Sequence, residues 1–181
     1  MAKKALWDDT YTMRELLLLS ALPGSGKSSW AKLYAKEHKN VKIVSSDAIR
    51  IRLFGSQKNF SNEPLVWETF LQDLKTLGQE EDVTVIVDST NLNNYYRTYY
   101  VKETPMYEKH TLVLFDVSYE DCLKQNLLRP KEMVVDPENM EELRAQWEEA
   151  SEEAKSYFDE VIHVDAKELT SRLKREKESQ D

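Results

Sequence analysis

The chain has 181 residues, of which 40% are hydrophobic and 32% charged, and a formal net charge of −8. That balance describes one water-facing domain with room for a sizeable core, and no run of about 18 apolar residues is present to span a bilayer. The opening MAKKALWDDTYTM lacks the apolar stretch of a secretory leader, the single Cys122 has no internal disulfide partner, and no Cys/His cluster suits zinc, so a cytoplasmic protein is expected.

The acidity is local. Residues 136–160 hold ten acidic side chains against two basic ones, Arg144 and Lys155, which leaves 23 of each sign elsewhere. Charge therefore neither selects nor excludes a polyanionic substrate.

In chain order, residues 15–22 (ELLLLSAL) read as a strand buried on both faces. The PGSGKSS that follows is too small in side chain to be core, and a helix is predicted over 27–38. Positions 21–28 fit the phosphate-loop pattern GxxxxGK[ST], with Ala21 in place of the first glycine. Phosphate oxygens must sit against backbone N–H groups, so Gly24 and Gly26 keep the approach open, with Pro23, Ser25 and Ser29 beside them. Lys27 reaches the terminal phosphates, the Ser28 hydroxyl suits Mg²⁺, and the helix N-terminus adds its positive dipole end. This stretch predicts nucleoside triphosphate binding.

A second strand over 41–45 leads into Ser45-Ser46-Asp47-Ala48-Ile49-Arg50. At the carboxyl edge of a parallel sheet, Asp47 either accepts a proton from an attacking hydroxyl or caps the next helix. Arg50, one turn on, pairs with Asp47 or holds an anionic acceptor. Residues 54–60 read as a loop anchored by Phe54 and Phe60, with base stacking and a phosphate contact from Lys58 as the rival reading; a helix follows over 64–77. The third strand, 83–88, ends in Asp88-Ser89-Thr90-Asn91. There Asp88 holds Mg²⁺ through water or an acceptor hydroxyl, and Asn91 fixes the loop.

Tyr95, Tyr96, Tyr99 and Tyr100 make two i,i+4 pairs on a helix; one pair is expected in the core and the other is open to nucleic-acid stacking. A fourth strand covers 111–117, and Ser118 caps the helix after it. Arg129 ends that helix before Pro130, either over the phosphates or as a charge complementing the helix terminus. Residues 138–158 carry apolar side chains at Met140, Leu143, Trp147, Ala150, Ala154 and Tyr157, which predicts one long helix with a buried stripe. A short strand over 161–164 and a helix over 165–177 close the chain. His38, His110 and His163 are scattered without metal-ligand spacing. Strands alternating with helices predict an α/β fold, a mostly parallel five-stranded sheet covered on both faces.

Together these stretches resemble the kinase domain of the polynucleotide 5′-hydroxyl kinase family, among the small P-loop kinases. The family's GxPGSGKS is matched by ALPGSGKSS, its Asp-x-x-Arg by Asp47 and Arg50, its D-x-T-N by Asp88, Thr90 and Asn91, and its R-N-x-x-R by Gln125-Asn126-x-x-Arg129. The likeness covers residues 16–164. It implies a P-loop kinase fold with strand order 2-3-1-4-5 and a helical lid at about 125–140, in a single domain over 1–181. It implies that ATP with Mg²⁺ donates its γ-phosphate to a 5′-OH. Asp47 is then the base and Arg50 the acceptor clamp. Lys27 and Arg129 stabilise the transferring group, Ser28 holds the metal, and Asp88 with Asn91 helps place the acceptor. Ala21 and Gln125 depart from the family pattern. The alternatives are a kinase of a small alcohol (nucleoside, sugar or antibiotic) and a nucleotide-dependent binding module. The third strand ends in Asp-Ser rather than Asp-Glu, which counts against the module.

Overall fold

A computed structural model describes residues 13–180. The opening segment discussed above lies almost wholly outside them. Five parallel strands, β1 (Glu15–Ser20), β2 (Val41–Ser45), β3 (Thr84–Asp88), β4 (Lys109–Asp116) and β5 (Glu160–Asp165), form one sheet in the order β2-β3-β1-β4-β5. The order implied by the family resemblance is the one found.

The leucine string explains the middle of the sheet. Successive side chains on a strand point to opposite faces, so Leu16 and Leu18 enter one core and Leu17 and Leu19 the other, all at most 1% exposed. The first core takes Ile49 from α2 (Ser46–Phe54), Val66, Phe70 and Leu74 from α3 (Glu63–Leu77) and Tyr100 from α4 (Asn94–Glu103). The second takes Trp30, Ala31 and Leu33 from α1 (Lys27–Glu37) and Leu169 from α8 (Ala166–Ser179). Arg172 forks onto Glu37 at 2.7 and 2.8 Å, and Lys36 pairs with Glu176, fastening α8 along α1. Burial on both faces is what an all-parallel sheet requires.

β1 ends two residues earlier than predicted. The Ala21 N–H leaves the ladder for the Thr90 carbonyl at 3.0 Å. Ala21 is buried in the second core with no positive φ, so a methyl group is accommodated without strain.

The long helix expected over 138–158 is not one helix. α6 (Pro137–Gln146) stops, Trp147 is extended, and one turn, α7 (Glu152–Lys155), follows. Distant groups capture the intervening backbone. Arg97 of α4, fully buried, donates to the Glu148 carbonyl (2.7 Å), the Leu92 carbonyl (3.3 Å), Ser20 Oγ (3.0 Å) and Asn94 Oδ1 (2.8 Å), and its guanidinium lies 5.1 Å from the Trp147 ring. The Glu148 N–H donates to the Leu92 carbonyl, and Asn94 accepts from the Ser151 N–H while donating to the Glu149 carbonyl. These bonds replace the i→i−4 bonds a continuous helix would make. Met140 and Ala154 are buried as the periodicity predicts, but past the break Phe158 turns inward and Tyr157 outward.

Replacing Arg97 by Met leaves several buried acceptors without a donor, each costing about 1–3 kcal/mol. Urea unfolding of Arg97→Met is expected to show a loss of about 3 kcal/mol or more. Amide exchange should accelerate first over residues 148–151; uniform acceleration would assign Arg97 a general packing role instead.

Candidate active site

The carboxyl ends of β1, β2 and β3 open onto a cleft of about 1450 Å³. Its floor is the phosphate loop, residues 23–29. Gly24 (φ 84°) and Gly26 (φ 98°) hold left-handed conformations that glycine alone adopts freely. At Gly24 a Cβ would lie 2.2 Å from the Cys122 carbonyl oxygen and 3.0 Å from the Asn126 nitrogen, both on α5 (Tyr119–Leu127). The loop is pressed onto that helix with no room for a side chain. At Gly26 a Cβ would meet Leu169 of α8 at 2.9 Å. α1 starts at Lys27 without a side-chain cap, so its first-turn N–H groups are left for an anion. Ser25 Oγ is buried beside them with no hydrogen-bond partner among the described residues. A polyphosphate fits this cradle.

Lys27 is buried and donates to the Leu22 carbonyl at 3.1 Å. Burial holds its ammonium below the ordinary lysine pKa. Asp88 opposes that effect, Arg129 adds to it, and Asp47 opposes it more weakly. Residues predicted from three separate stretches therefore lie within electrostatic reach of the lysine.

Ser28 Oγ donates to Asp88 Oδ2 at 2.9 Å. This contact sets the Asp88 carboxylate beside the Ser28 hydroxyl. No group of three or more His, Cys, Asp and Glu forms a metal cage among the described residues. Mg²⁺ bound with substrate phosphates needs only one or two protein oxygens, and the Ser28 hydroxyl with the Asp88 carboxylate fits that demand.

Asp47 stands at the N-terminus of α2, but Ser45 is the cap, its Oγ accepting from the Ala48 N–H. Asp47 is thus not tied down as a cap, and it lines the cleft. Its Oδ1 accepts from Arg50 at 3.1 Å. Arg50 is buried, and it also forks onto Glu63, 3.0 Å to Oε2 and 2.6 Å to Oε1. Of the sequence alternatives for Arg50, pairing with Asp47 is present, and a second carboxylate is added that sequence reasoning missed. Phe60 and Trp67 cover the guanidinium at 5.0 and 5.7 Å; Phe54 packs on the first core instead.

Asn91, at φ 45°, donates to the Leu19 carbonyl at 2.7 Å, and its own carbonyl accepts from Ser20 Oγ at 2.8 Å. It borders the cleft, yet its amide holds the end of β1 rather than being free for an acceptor. Asn126 does similar work unforeseen by the sequence reading. Buried, it exchanges two hydrogen bonds with the Val135 backbone, 2.8 and 3.0 Å, and so closes the turn that carries Arg129. Arg129, Pro130, Met133 and Val135 line the same cleft as Asp47, with a single 3₁₀ turn at Lys131–Met133 and α6 beyond them. The tyrosines of α4 divide along the helix, not around it. All four line the cleft, but Tyr99 and Tyr100 pack on the first core, while Tyr95 and Tyr96, in the first turn, are exposed.

The sequence model described as AAA domain matches residues 16–154. A 2′,3′-cyclic-nucleotide 3′-phosphodiesterase of Rattus norvegicus is 36% identical over 88 residues, 46% of this chain and 20% of that protein. The chain thus spans about a fifth of the length of the curated relative it matches. Among solved structures, a chain of a Pnkp1/Rnl/Hen1 RNA repair complex superposes with a TM-score of 0.66 at 23% identity, over 86% of this chain and 49% of that one. A fungal RNA kinase superposes at 0.56 and 16% identity, over 85% and 75%. No helix among the described residues is long and apolar enough to cross a membrane. With the phosphate loop, the five-stranded parallel sheet and a match over residues 16–154, the chain belongs to the AAA domain family and has its P-loop kinase-like fold.

Proposed function

We propose that the chain is an ATP-dependent kinase that transfers the γ-phosphate to a hydroxyl, with the 5′-OH of a polynucleotide as acceptor. The observation that carries this reading is the meeting of Lys27, Asp88, Asp47 and Arg129 around one phosphate cradle. The likeness to an RNA kinase and to a chain of an RNA repair complex supports the choice of acceptor.

Phosphoryl transfer asks a protein mainly for positioning and charge neutralisation. In this reading the loop amides and α1 hold the phosphates, and Lys27 turns from the Leu22 carbonyl to them. Ser28 and Asp88 would hold Mg²⁺, which would supply charge neutralisation for the phosphates. Arg50 orients the Asp47 carboxylate through Oδ1, leaving Oδ2 to take the hydroxyl proton. The acceptor oxygen bonds to the γ-phosphorus as the bond to the β-bridging oxygen breaks. ADP leaves with that electron pair, and Arg129 faces the charge on the group in flight.

Asp47→Asn is expected to keep ATP affinity and lose about 10²–10⁴-fold in turnover; unchanged turnover would remove Asp47 as the base. Arg129→Ala should lose about 10³-fold or more in kcat, and Lys27→Ala should weaken both nucleotide binding and rate. Ser28→Ala should raise the Mg²⁺ concentration needed for half-maximal rate, and chelation by EDTA should abolish transfer. Incubation with labelled ATP, a 5′-OH oligonucleotide and a panel of small alcohols tests the acceptor. Label entering only the alcohols would replace the polynucleotide reading with a small-molecule kinase.

A further inference from the structure

One wall of the cleft has no part in the phosphoryl chemistry. The rings of Trp67, Phe70, Tyr100, Tyr99, Tyr95 and Tyr96 run without a break from α3 to α4, each centroid 5.3–6.0 Å from the next. Phe70 and Tyr100 root the run in the first core. Its outer end is bare, with Tyr95 69% and Tyr96 45% exposed and both facing the cleft. Phe60, 55% exposed, borders the same cleft from the other side of Arg50. Scattered exposed rings need no explanation, but a contiguous set beside a reactive centre does.

Charge tells against a phosphate at this end of the site. Arg50 is bonded to Asp47 and to both oxygens of Glu63, so the three groups together carry one negative charge. Three of the five guanidinium N–H donors are taken up by these carboxylates, and Phe60 and Trp67 lie over the group. The wall beyond it offers π-faces.

Resting on the kinase reading above, we infer that the chain holds the 5′-terminal bases of its acceptor by stacking on Tyr95 and Tyr96. Every base has a π-face, so stacking tolerates sequence. A sugar or aliphatic alcohol has none, and gains nothing from this wall. The site thereby favours base-bearing acceptors over sugars and aliphatic alcohols without a basic stripe, consistent with a chain whose charges outside residues 136–160 balance.

The test measures binding and turnover separately. Fluorescence anisotropy with a short single-stranded 5′-OH oligonucleotide labelled at its 3′ end gives Kd, and labelled ATP gives KM and kcat. Tyr95→Ala and Tyr96→Ala are each expected to raise Kd and KM for the oligonucleotide about 5- to 100-fold, with ATP affinity unchanged and kcat within about two-fold. Tyr95→Phe and Tyr96→Phe should restore binding, since the ring and not the hydroxyl stacks. An oligonucleotide abasic at its 5′ end should bind the unaltered chain as weakly as it binds the alanine variants. An oligonucleotide that is phosphorylated as tightly by the alanine variants as by the unaltered chain overturns the stacking site and leaves the kinase reading standing. Failure of the unaltered chain to bind or phosphorylate any oligonucleotide overturns both.

Discussion

In the candidate site the phosphate loop and α5 meet backbone to backbone. Gly24 lies against α5 so tightly that no Cβ fits between the loop and the Cys122 carbonyl. The phosphate cradle and the helix leading to Arg129 are therefore one packed unit, and Asn126, on the same helix, ties in the chain's return through Val135. A larger residue at Gly24 would push apart both the phosphate loop and the arginine that faces it. Protein interiors transmit such displacements because they are close-packed. Cys122 belongs to the same contact: burial raises its thiol pKa to about 11, which keeps it a packing group rather than a nucleophile.

What was legible in the sequence was governed by local periodicity and by short motifs. The unbroken leucine run in ELLLLS foretold burial on both faces of one strand, and the residues delivered to a common edge by parallel strands could be named before their contact was seen. Ser28 and Asp88 are 60 positions apart, yet the register of β1 with β3 brings them to 2.9 Å. Partnerships decided by side chains from other elements were not legible. Periodicity through residues 138–158 is real, but Arg97 and Asn94 take the backbone of 148–151 away from the helix, and nothing in that segment announces them. Glu63 lies just before the helix expected over 64–77; it opens α3, and only the packing of α2 on α3 turns it onto Arg50.

The two arginines singled out by motif illustrate the difference. Arg129 makes no recorded ion pair among the described residues and borders the cradle, as a charge held ready for a ligand should. Arg50 is already answered by two carboxylates. Same residue type, same cleft, opposite electrostatic circumstances: a motif fixes which side chain is present, while its neighbours decide whether its charge is available. Arg50 is the buried member of this trio while both carboxylates reach solvent, so the loss of one carboxylate leaves the other answering its charge.

Ala21 carries a lesson for pattern matching. Its backbone stays outside the left-handed region and its methyl joins the apolar cluster beneath the nucleotide cradle, so hydrogen is not the only substituent this turn tolerates. The phosphate-loop pattern asks for glycine at that place without a steric need for it here, whereas at Gly24 it is a steric necessity. Search patterns that weigh the two alike will discard proteins whose loops are sound.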